Sequence, residues 1–327
     1  IQVAHSLKNE VLGKKIVLVP VDNKSDDVEA VNAAVRLVDS EKVDIVLGSW
    51  GSSVAIAAGA TFGAARVPAI GTSCTNPLVT QGKKYYFRAC FIDPYQGKKM
   101  ADYAVEKLSA KTAAIFYQTG SDYSEGLMNA FAEEAKAIGL EIVDTEAFAE
   151  GDKDFKAQMT NIAAADPDVV FAPIYYAEAG LAITAARAAG CDAVFMGGDG
   201  FGSVKNYASA DDLEGSVYCS GYAPGTDSVK QFEEDYKAAY NVDEIPNMFA
   251  PLAYDAAMLL CEGLKAAEAQ GLTAGTDEYK QAVIDAIAGG TIEGITGTFT
   301  FDEYHNPVKS TAILTYVDGK PELKEMF

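Results

Sequence analysis

Two turns rich in serine, threonine and glycine contain residue types that bind small polar groups. The first follows an apolar segment at residues 45–47 and leads into a predicted helix that begins near Ser52. The second follows residues 68–70 and reads GTSCTNP at 71–77. Hydroxyl groups such as those of Ser52 and Thr75 bond oxygen or ammonium, and free N–H groups at a helix start suit a carboxylate. The same residues are also ordinary helix N-caps, so either turn alone is ambiguous.

The spacing of the two turns favours a ligand site over two unrelated caps. Each turn follows a short buried strand, and the carboxyl ends of parallel strands meet at one edge of a sheet. Ligands of α/β proteins bind at that edge.

A carboxylate and several aromatic residues follow other predicted strands. Asp199 ends the segment FMGGDG, where its side chain could hold an ammonium group by a charge-assisted hydrogen bond. The alternative is a turn aspartate that bonds its own backbone. Trp50, Tyr123, Tyr175 and Tyr176 could line an apolar pocket, in which the tyrosine hydroxyls would orient a ligand. Packing in the core is the alternative for each.

Several kinds of catalytic and metal site are disfavoured by the sequence. The two histidines, His5 and His305, have no HExxH pattern, and no GxSxG or GxxxxGK[ST] motif occurs. The glycines at 198–202 have the wrong spacing for a dinucleotide loop. The five cysteines show no CxxC spacing, and an odd number cannot all pair within one chain. We therefore expect no enzyme activity, no metal and no cofactor.

Length and charge limit the possible partners. The chain has 327 residues and a net charge of −21, which argues against nucleic acid and against an anionic membrane surface. The uncharged run at 45–65 is long enough to span a bilayer, but its GSWGSS turn and many small residues indicate a strand, a turn and a helix. Neither a transmembrane helix nor a signal peptide is predicted.

Strand and helix patterns alternate along the chain, which predicts an α/β fold with doubly wound parallel sheets. The units are too many for one sheet, so we expect two lobes with a ligand cleft between them. Residues 1–12 are predicted as a helix end, 15–21 as a strand and 27–41 as a helix. Further strands are predicted at 45–47, 68–70, 84–90, 114–118, 141–147, 168–172, 193–196, 217–220, 297–301 and 311–317. Further helices are predicted from 52 and at 93–108, 123–139, 154–165, 178–190, 228–240, 250–270 and 277–288.

Two details of this pattern are specific expectations. Valines at three- and four-residue spacing are predicted to form one face of the helix at 27–41, and they are Val28, Val31, Val35 and Val38. A doubly wound sheet normally begins with a strand, whereas this sequence opens on a helix end, so we expect the first strand to lie upstream of it.

The sequence resembles the substrate-binding proteins of branched-chain amino acid (Leu/Ile/Val) ABC transporters. The order and spacing of several short motifs carry this resemblance along nearly the whole chain. They are GKKI at 13–16, KVDIVLG at 42–48 with Ser52, PAI at 68–70, CTNP at 74–77, YFR at 86–88, Asp93 with QG at 96–97, YSEG at 123–126, DF at 154–155, PDVV at 167–170, YAE at 176–178, GITG at 294–297 and FD at 301–302.

The resemblance implies a type I periplasmic binding fold of the Venus-flytrap kind and assigns roles to individual residues. Residues 1–93 plus 223–300 would form lobe one, and 94–222 plus 301–327 lobe two. Ser52 and the segment Ser73-Cys74-Thr75 would hold the carboxylate of an amino acid, with backbone groups of Ser73 and Thr75 sharing its ammonium. Tyr123 and the pair Tyr175 and Tyr176 would come from lobe two, Asp199 would pair with the ammonium, and Trp50 would face the ligand side chain.

The expected function is capture of a free α-amino acid, with aliphatic side chains favoured, for a membrane permease of an ABC transporter. Alternatives are an aromatic amino acid or another small carboxylate on the same fold, or a sensory ectodomain. The protein is expected to be monomeric and extracytoplasmic, either in a periplasm or lipid-anchored at the outer face of the cell membrane.

Overall fold

The computed structural model describes residues 1–245 and 247–327, which form two compact units. Unit 1 contains Ile1–Phe91, Gly225–Ile245 and Phe249–Lys309. Unit 2 contains Ile92–Pro224, the residues Asn247 and Met248, and Ser310–Phe327. The chain thus leaves unit 1 after Phe91 and after Lys309, whereas the predicted lobe boundaries lie after 93 and after 300.

Residues 301–309 belong to unit 1 because their side chains pack and bond there. The ring of His305 stacks on Phe87 with centroids 4.0 Å apart. Thr80 Oγ1 donates a hydrogen bond to Asn306 Oδ1 over 2.9 Å, and the ammonium of Lys309 donates to the carbonyl of Ala89 over 3.1 Å. The FD motif alone does not indicate these contacts, because the residues that make them are more than 200 positions apart in the sequence.

The central sheet described in unit 1 is parallel and has three strands, in the order β3-β4-β5. Helices cover both of its faces. Ile70 and Phe87 pack against the C-terminal helices, and Val46 and Ala69 pack against the helices of the N-terminal part. The strands of unit 1 are β1 Glu10–Val11, β2 Lys14–Lys15, β3 Val46–Leu47, β4 Ala69–Gly71, β5 Tyr86–Arg88, β11 Ile292–Gly294 and β12 Gly297–Phe299. Its helices are α1 Gln2–Leu7, α2 Asp27–Val35, α3 Ser52–Ala64, α9 Lys230–Tyr240, α10 Phe249–Ala269 and α11 Asp277–Gly289.

The predicted strand at 15–21 is wrong beyond its first residue. Lys14 and Lys15 form the short strand β2, which pairs with β1 in an antiparallel hairpin, and residues 16–23 have no regular structure. Val17 is 78% exposed. β-branched residues favour a strand only where a neighbouring strand supplies hydrogen bonds and a face to bury. The helix predicted at 1–12 is likewise shorter, since α1 ends at Leu7.

Of the four predicted valines, Val38 lies beyond the end of α2 and packs half-buried against the core, whereas the three valines within α2 do not pack there. Val28 is 69% exposed, and Val31 and Val35 are exposed as well. Ala30 and Ala34 are the residues that α2 buries, against α3 and the sheet. The alanines have the same helical spacing as the valines, so periodicity alone does not choose between the two faces.

Unit 2 is built on a seven-stranded sheet in the order β14-β13-β10-β9-β8-β6-β7. The pairs from β10 to β7 are parallel, as predicted, and the last two strands of the chain add an antiparallel hairpin at the β10 edge. The strands are β6 Thr112–Gln118, β7 Glu141–Phe148, β8 Val169–Ala172, β9 Val194–Gly197, β10 Val217–Ser220, β13 Ala312–Val317 and β14 Lys320–Met326. The helices are α4 Asp93–Glu106, α5 Asp122–Ile138, α6 Lys156–Ala165, α7 Tyr176–Ala188 and α8 Ala210–Leu213.

Aromatic residues of the parallel strands anchor the helices of unit 2. Phe116 and Phe195 lie in a core with Ile183 of α7. Phe171 stacks on Phe131 of α5 with centroids 4.1 Å apart. The strands are therefore buried on two faces, which explains their near-continuous apolar sequences.

Two further observations concern the whole described chain. None of the five cysteines forms a disulfide within the described residues, and all five are buried. Within residues 1–245 and 247–327, no helix combines the length and the apolar character that crossing a membrane requires.

Candidate ligand-binding residues in each unit

Ser52, Ser73, Cys74 and Thr75 form a buried cluster in unit 1, called here the serine–threonine cluster. The residues lie in the turns that follow β3 and β4, two adjacent parallel strands. Ser52 is 1% exposed, and Thr75 and Cys74 are fully buried.

Hydrogen bonds join the two turns. Ser52 Oγ accepts from the backbone N–H of Asn76 over 3.1 Å. Ser73 Oγ donates to the carbonyl of Trp50 over 3.1 Å. The turns are therefore adjacent at one edge of the sheet, as their spacing in the sequence predicts.

Thr75 has a hydroxyl that the fold leaves unused. Its Oγ1 is buried and makes no hydrogen bond within the described part of the chain. Burying a hydroxyl without a partner costs free energy, so such groups call for a specific explanation. A ligand oxygen or nitrogen at this turn would supply the missing partner.

A buried arginine holds the second turn from below. Arg88 of β5 is fully buried and donates to the carbonyls of Cys74 over 2.7 Å and of Asn76 over 2.9 Å. It also donates to Thr80 Oγ1 over 2.8 Å. Its guanidinium fixes the path of the turn and places a positive charge beneath it, which favours an anionic group at the turn. The YFR motif contains Arg88, but the sequence alone gives no role to this residue.

Trp50 belongs to an aromatic pair within unit 1. Its half-buried ring lies 5.6 Å from that of Phe249, the first residue of α10, with the planes tilted by 45°. Phe249 is a contact that the sequence analysis did not identify, because it comes about 200 positions after Trp50.

Unit 2 contains a second group, called here the Asp199 cluster, which consists of Asp93, Gln96, Tyr123, Tyr175 and Asp199. Asp199 follows β9 and is 2% exposed. Burial raises the pKa of its carboxyl from 3.8 to about 6, and hydrogen bonds from Gln96 and Tyr123 partly oppose this shift. Among the described residues, no cationic side chain forms an ion pair with Asp199.

The phenol of Tyr123 orders the turn that carries Asp199. Its oxygen accepts the backbone N–H of Gly200 over 2.9 Å. Its ring stacks on that of Tyr175, with centroids 4.8 Å apart and planes inclined by 18°. Burial holds the pKa of Tyr123 well above its usual value, so this phenol stays protonated and remains a donor to the carboxylate.

The glycines beside Asp199 are required by close packing. A Cβ at Gly200 would lie 2.8 Å from the phenol oxygen of Tyr123 and 3.0 Å from the ring of Tyr175. A Cβ at Gly198 would lie 2.8 Å from the same phenol oxygen. The sequence GGDG thus lets two aromatic rings approach the backbone around a single carboxylate.

Tyr176 lies in a different environment from Tyr175. Tyr175 is the N-cap of α7 and stacks on Tyr123, whereas Tyr176 begins the helix and packs against Tyr207 with centroids 5.8 Å apart. Tyr176 also borders the core of unit 2. Its predicted role at a ligand stays a prediction, and the contacts favour the packing alternative.

The sequence analysis gave no role to Gln96 and Asp93. Both are fully buried, although glutamine and aspartate are usually exposed. The spacing of three residues at the start of α4 is the one signal that places them on the same face of the helix. Their link to Asp199, 103 positions later for Gln96, depends on the tertiary structure.

The serine–threonine cluster offers hydroxyls beside one buried arginine, and the Asp199 cluster contains two buried carboxylates. Groups of these kinds suit binding of small charged molecules. Within the described residues, no three or more histidine, cysteine, aspartate or glutamate side chains are grouped so that they could hold a metal ion.

Comparison with known proteins identifies relatives along nearly the whole chain. Residues 2–321 match the sequence model of the family described as periplasmic binding protein. An amino acid binding protein of Pseudomonas aeruginosa is 36% identical over 189 residues, which cover 58% of this chain and 50% of that protein. The Leu/Ile/Val-binding protein homolog 3 of Brucella melitensis is 28% identical over 316 residues, which cover 95% of this chain and 82% of that protein.

A solved structure agrees with these relatives. The branched-chain amino acid transporter substrate binding protein LivJ of Streptococcus pneumoniae, solved in complex with isoleucine, has a TM-score of 0.91 and 35% sequence identity. The alignment covers 100% of this chain and 92% of that one. The chain therefore belongs to the periplasmic binding protein family, in the branched-chain amino acid substrate-binding group with the type I fold, as its motifs predict.

Proposed function

We propose that this protein is an extracytoplasmic solute-binding protein that captures a free α-amino acid, with aliphatic branched-chain side chains favoured, for uptake by an ABC transporter. The observation that carries the proposal is the buried carboxylate of Asp199, which has no cationic partner in the described residues. A buried carboxylate is costly unless a cation compensates it, and the ammonium of an amino acid is such a cation.

The serine–threonine cluster is proposed to bind the carboxylate end of the same class of ligand. The unused hydroxyl of Thr75 and the positive charge of Arg88 beneath the turn support this role. Ser73 contributes an oxygen in the same turn and Ser52 an oxygen in the adjacent turn, and Cys74 contributes a buried thiol. Free amino acids carry both charges, so they satisfy both clusters, whereas simple amines or acids satisfy one.

Relatives support the choice of side chain. The names of the Brucella melitensis protein and of the Streptococcus pneumoniae structure specify leucine, isoleucine, valine or branched-chain amino acids. A second candidate is an aromatic amino acid or another small carboxylate, which the pairing of Trp50 with Phe249 favours. An aromatic ligand would stack on this pair, whereas an aliphatic ligand would use it as an apolar wall.

A thermal-shift screen of the purified protein tests the proposal. The ligands are the twenty amino acids together with matched analogues of leucine that lack the amine (4-methylpentanoate) or the carboxylate (3-methylbutylamine). A ligand at about a hundred times its Kd adds roughly 2.7 kcal/mol to the stability, a shift of a few degrees for a chain of this size. We expect leucine, isoleucine or valine to give the largest shift and both analogues to give less than half of it.

The alternatives predict other outcomes in the same screen. A larger shift with phenylalanine or tyrosine would replace the aliphatic ligand by an aromatic one. A shift with 4-methylpentanoate that equals the shift with leucine would contradict the role of Asp199. Mass spectrometry of the recovered ligand distinguishes binding from turnover, and we expect the ligand to be unchanged.

A further inference from the structure

The amide of Gln96 lies at the centre of the Asp199 cluster and bonds two buried carboxylates. Its Nε2 donates to Asp199 Oδ1 over 2.9 Å and to Asp93 Oδ1 over 3.0 Å. Its Oε1 accepts the backbone N–H of Asp199 over 3.1 Å. We infer that Gln96 is a positioning residue that makes the protein specific for ligands with an α-ammonium group, because it holds the Asp199 carboxylate in place. This inference rests on the proposed function and adds a specificity determinant to it.

The hydrogen bonds permit one orientation of the amide. Both hydrogens of Nε2 are used, one for each carboxylate, and Oε1 faces an N–H group. A flipped amide would direct its oxygen at two carboxylate oxygens and its NH₂ group at a backbone N–H. The side chain of Gln96 is fully buried, so water does not compete for these bonds. The carboxylate of Asp199 is therefore fixed both through Oδ1 and through its own backbone.

Helix packing fixes the position from which Gln96 acts. Asp93 and Gln96 are one turn apart on α4, and Gly97 follows at the contact with α5. A Cβ at Gly97 would lie 2.7 Å from Ala130 Cβ and 2.9 Å from the backbone nitrogen of Phe131, so only glycine allows this approach. The same helix α5 carries Tyr123 at its start. Gln96 and Tyr123 thus reach Asp199 from two helices in close contact.

Asp199 changes charge near neutral pH, because burial raises its pKa to about 6. Its titratable neighbours are Tyr123, Tyr175 and Cys219, together with Asp93 across the Gln96 amide. Burial raises the pKa of Tyr123 well above its usual value and that of Cys219 to about 12, so neither ionises near neutral pH. The loss of the Gln96 donor would favour the neutral form of Asp199, because this donor stabilises the charged form.

The substitution Gln96→Met tests the inference, since methionine keeps the length of the side chain and removes all three hydrogen bonds. The first readout is the titration of the Asp199 carboxyl in the unliganded protein, which is followed by carbon-13 NMR. The resonance that is missing from the spectrum of Asp199→Asn is assigned to Asp199. We expect the midpoint to rise by at least about half a unit. An unchanged midpoint would overturn the inference, and this readout does not depend on which ligand the protein binds.

The second readout is the ratio of the affinities for leucine and 4-methylpentanoate. We expect Gln96→Met to weaken leucine binding about tenfold and to leave 4-methylpentanoate within about twofold, so the ratio falls. In the Asp199→Asn background the same substitution should leave the ratio unchanged. Equal weakening of both ligands, or a further fall of the ratio in that background, would overturn the role of Gln96 through Asp199.

Controls separate this inference from the proposed function. Met100→Leu changes a buried residue of the same helix at nearly constant volume, and it should alter neither readout. If the unsubstituted protein binds no amino acid at all, the proposed function and the ammonium specificity fail together. The NMR titration then still decides whether Gln96 holds the Asp199 carboxylate.

Discussion

The serine–threonine cluster of unit 1 and the Asp199 cluster of unit 2 differ in the charge of the buried groups that they contain. The first consists of hydroxyls, a buried thiol and backbone groups beside the buried guanidinium of Arg88. The second contains a carboxylate whose pKa burial raises to about 6. Under the proposed function, the two ends of a bound amino acid should therefore respond differently to pH and to mutation.

The clusters also differ in their construction. The hydroxyls of unit 1 lie in two turns whose residues are less than 30 positions apart, and hydrogen bonds donated by Ser73 and Asn76 of the second turn join it to the first. The Asp199 cluster joins α4, α5 and the turn after β9, so its members are up to about 100 positions apart. The second arrangement depends on the packing of whole helices, and a distant substitution disturbs it more easily.

Of the proposed variants, Asp199→Asn should have the largest effect on ligand binding. We expect leucine binding to weaken more than about tenfold, because a buried ammonium would lose its charged partner, while 4-methylpentanoate keeps or gains affinity. Calorimetric titration of both ligands measures the difference. A proportionate loss of both ligands would show that Asp199 supports the fold and does not bind the ammonium.

The same variant should stabilise the unliganded protein. Because the folded pKa of Asp199 is raised from 3.8 to about 6, the contribution of this carboxyl to the stability is most favourable below about pH 4 and falls as the pH rises through 6. Asparagine removes this cost, so Asp199→Asn should gain up to about 3 kcal/mol at pH 8 and almost nothing at pH 3. Urea unfolding at the two pH values checks both the sign and the pH dependence.

In the unsubstituted protein, the pH dependence of ligand affinity distinguishes the proposed roles of the two clusters. Protonation of free Asp199 competes with ammonium binding, so the Kd for leucine should rise about tenfold per pH unit below 6. The Kd for 4-methylpentanoate, calculated for the ionised form of this ligand, should not rise in the same way, since its carboxylate is proposed to bind the serine–threonine cluster and not Asp199. A flat profile for leucine between pH 4.5 and 6 would contradict the assignment of its ammonium to Asp199.

Thr75→Val should have a smaller effect, and its two consequences have opposite signs. Valine has the shape of threonine without the buried hydroxyl that lacks a partner, so unliganded stability should rise by about 1 kcal/mol. Ligand affinity should fall roughly three- to tenfold, because the ligand carboxylate loses a donor. Paired measurements of unfolding and binding test this trade-off. A stable variant with unchanged affinity would remove Thr75 from the proposed site.

Ser52→Ala gives the smallest expected effect and serves as a contrast within the same cluster. The Ser52 hydroxyl already accepts from the N–H of Asn76, so its loss should lower the stability by about 1 kcal/mol. Affinity should fall only about two- to threefold, through a less ordered turn. If Ser52→Ala and Thr75→Val change the stability in the same direction, the distinction between a used and an unused hydroxyl is wrong.

The sequence predicted the regular elements well where pattern and burial agree. Each of the predicted strands after residue 40 overlaps an observed strand, and β10 has the predicted bounds, Val217–Ser220. The failures have physical causes. The valines of α2 and the alanines beside them have the same period, and residues 16–21 have β-branched side chains but no regular structure. The polar edge strand β14 was missed because it buries little of its length.

The candidate site was predictable where its residues lie close together in the sequence. The turns with Ser52 and Thr75 are local, and their Ser, Thr and Gly content is visible in the sequence. Asp199 was recognised from its glycines, but its partners Gln96 and Asp93 were not, because helix packing joins residues distant in sequence. The ligand role of Tyr176 stays a prediction, and its surroundings differ from those of the adjacent Tyr175 at the same helix start.

The five buried thiols give this protein a set of built-in probes for local unfolding. A thiol reagent modifies each cysteine only when the structure around it opens, so labelling rates in native buffer report opening free energies. Cys74, Cys90 and Cys261 report on unit 1, and Cys191 and Cys219 report on unit 2. Mass spectrometry of the labelled peptides would therefore map how a ligand redistributes rigidity over the chain without any engineered reporter.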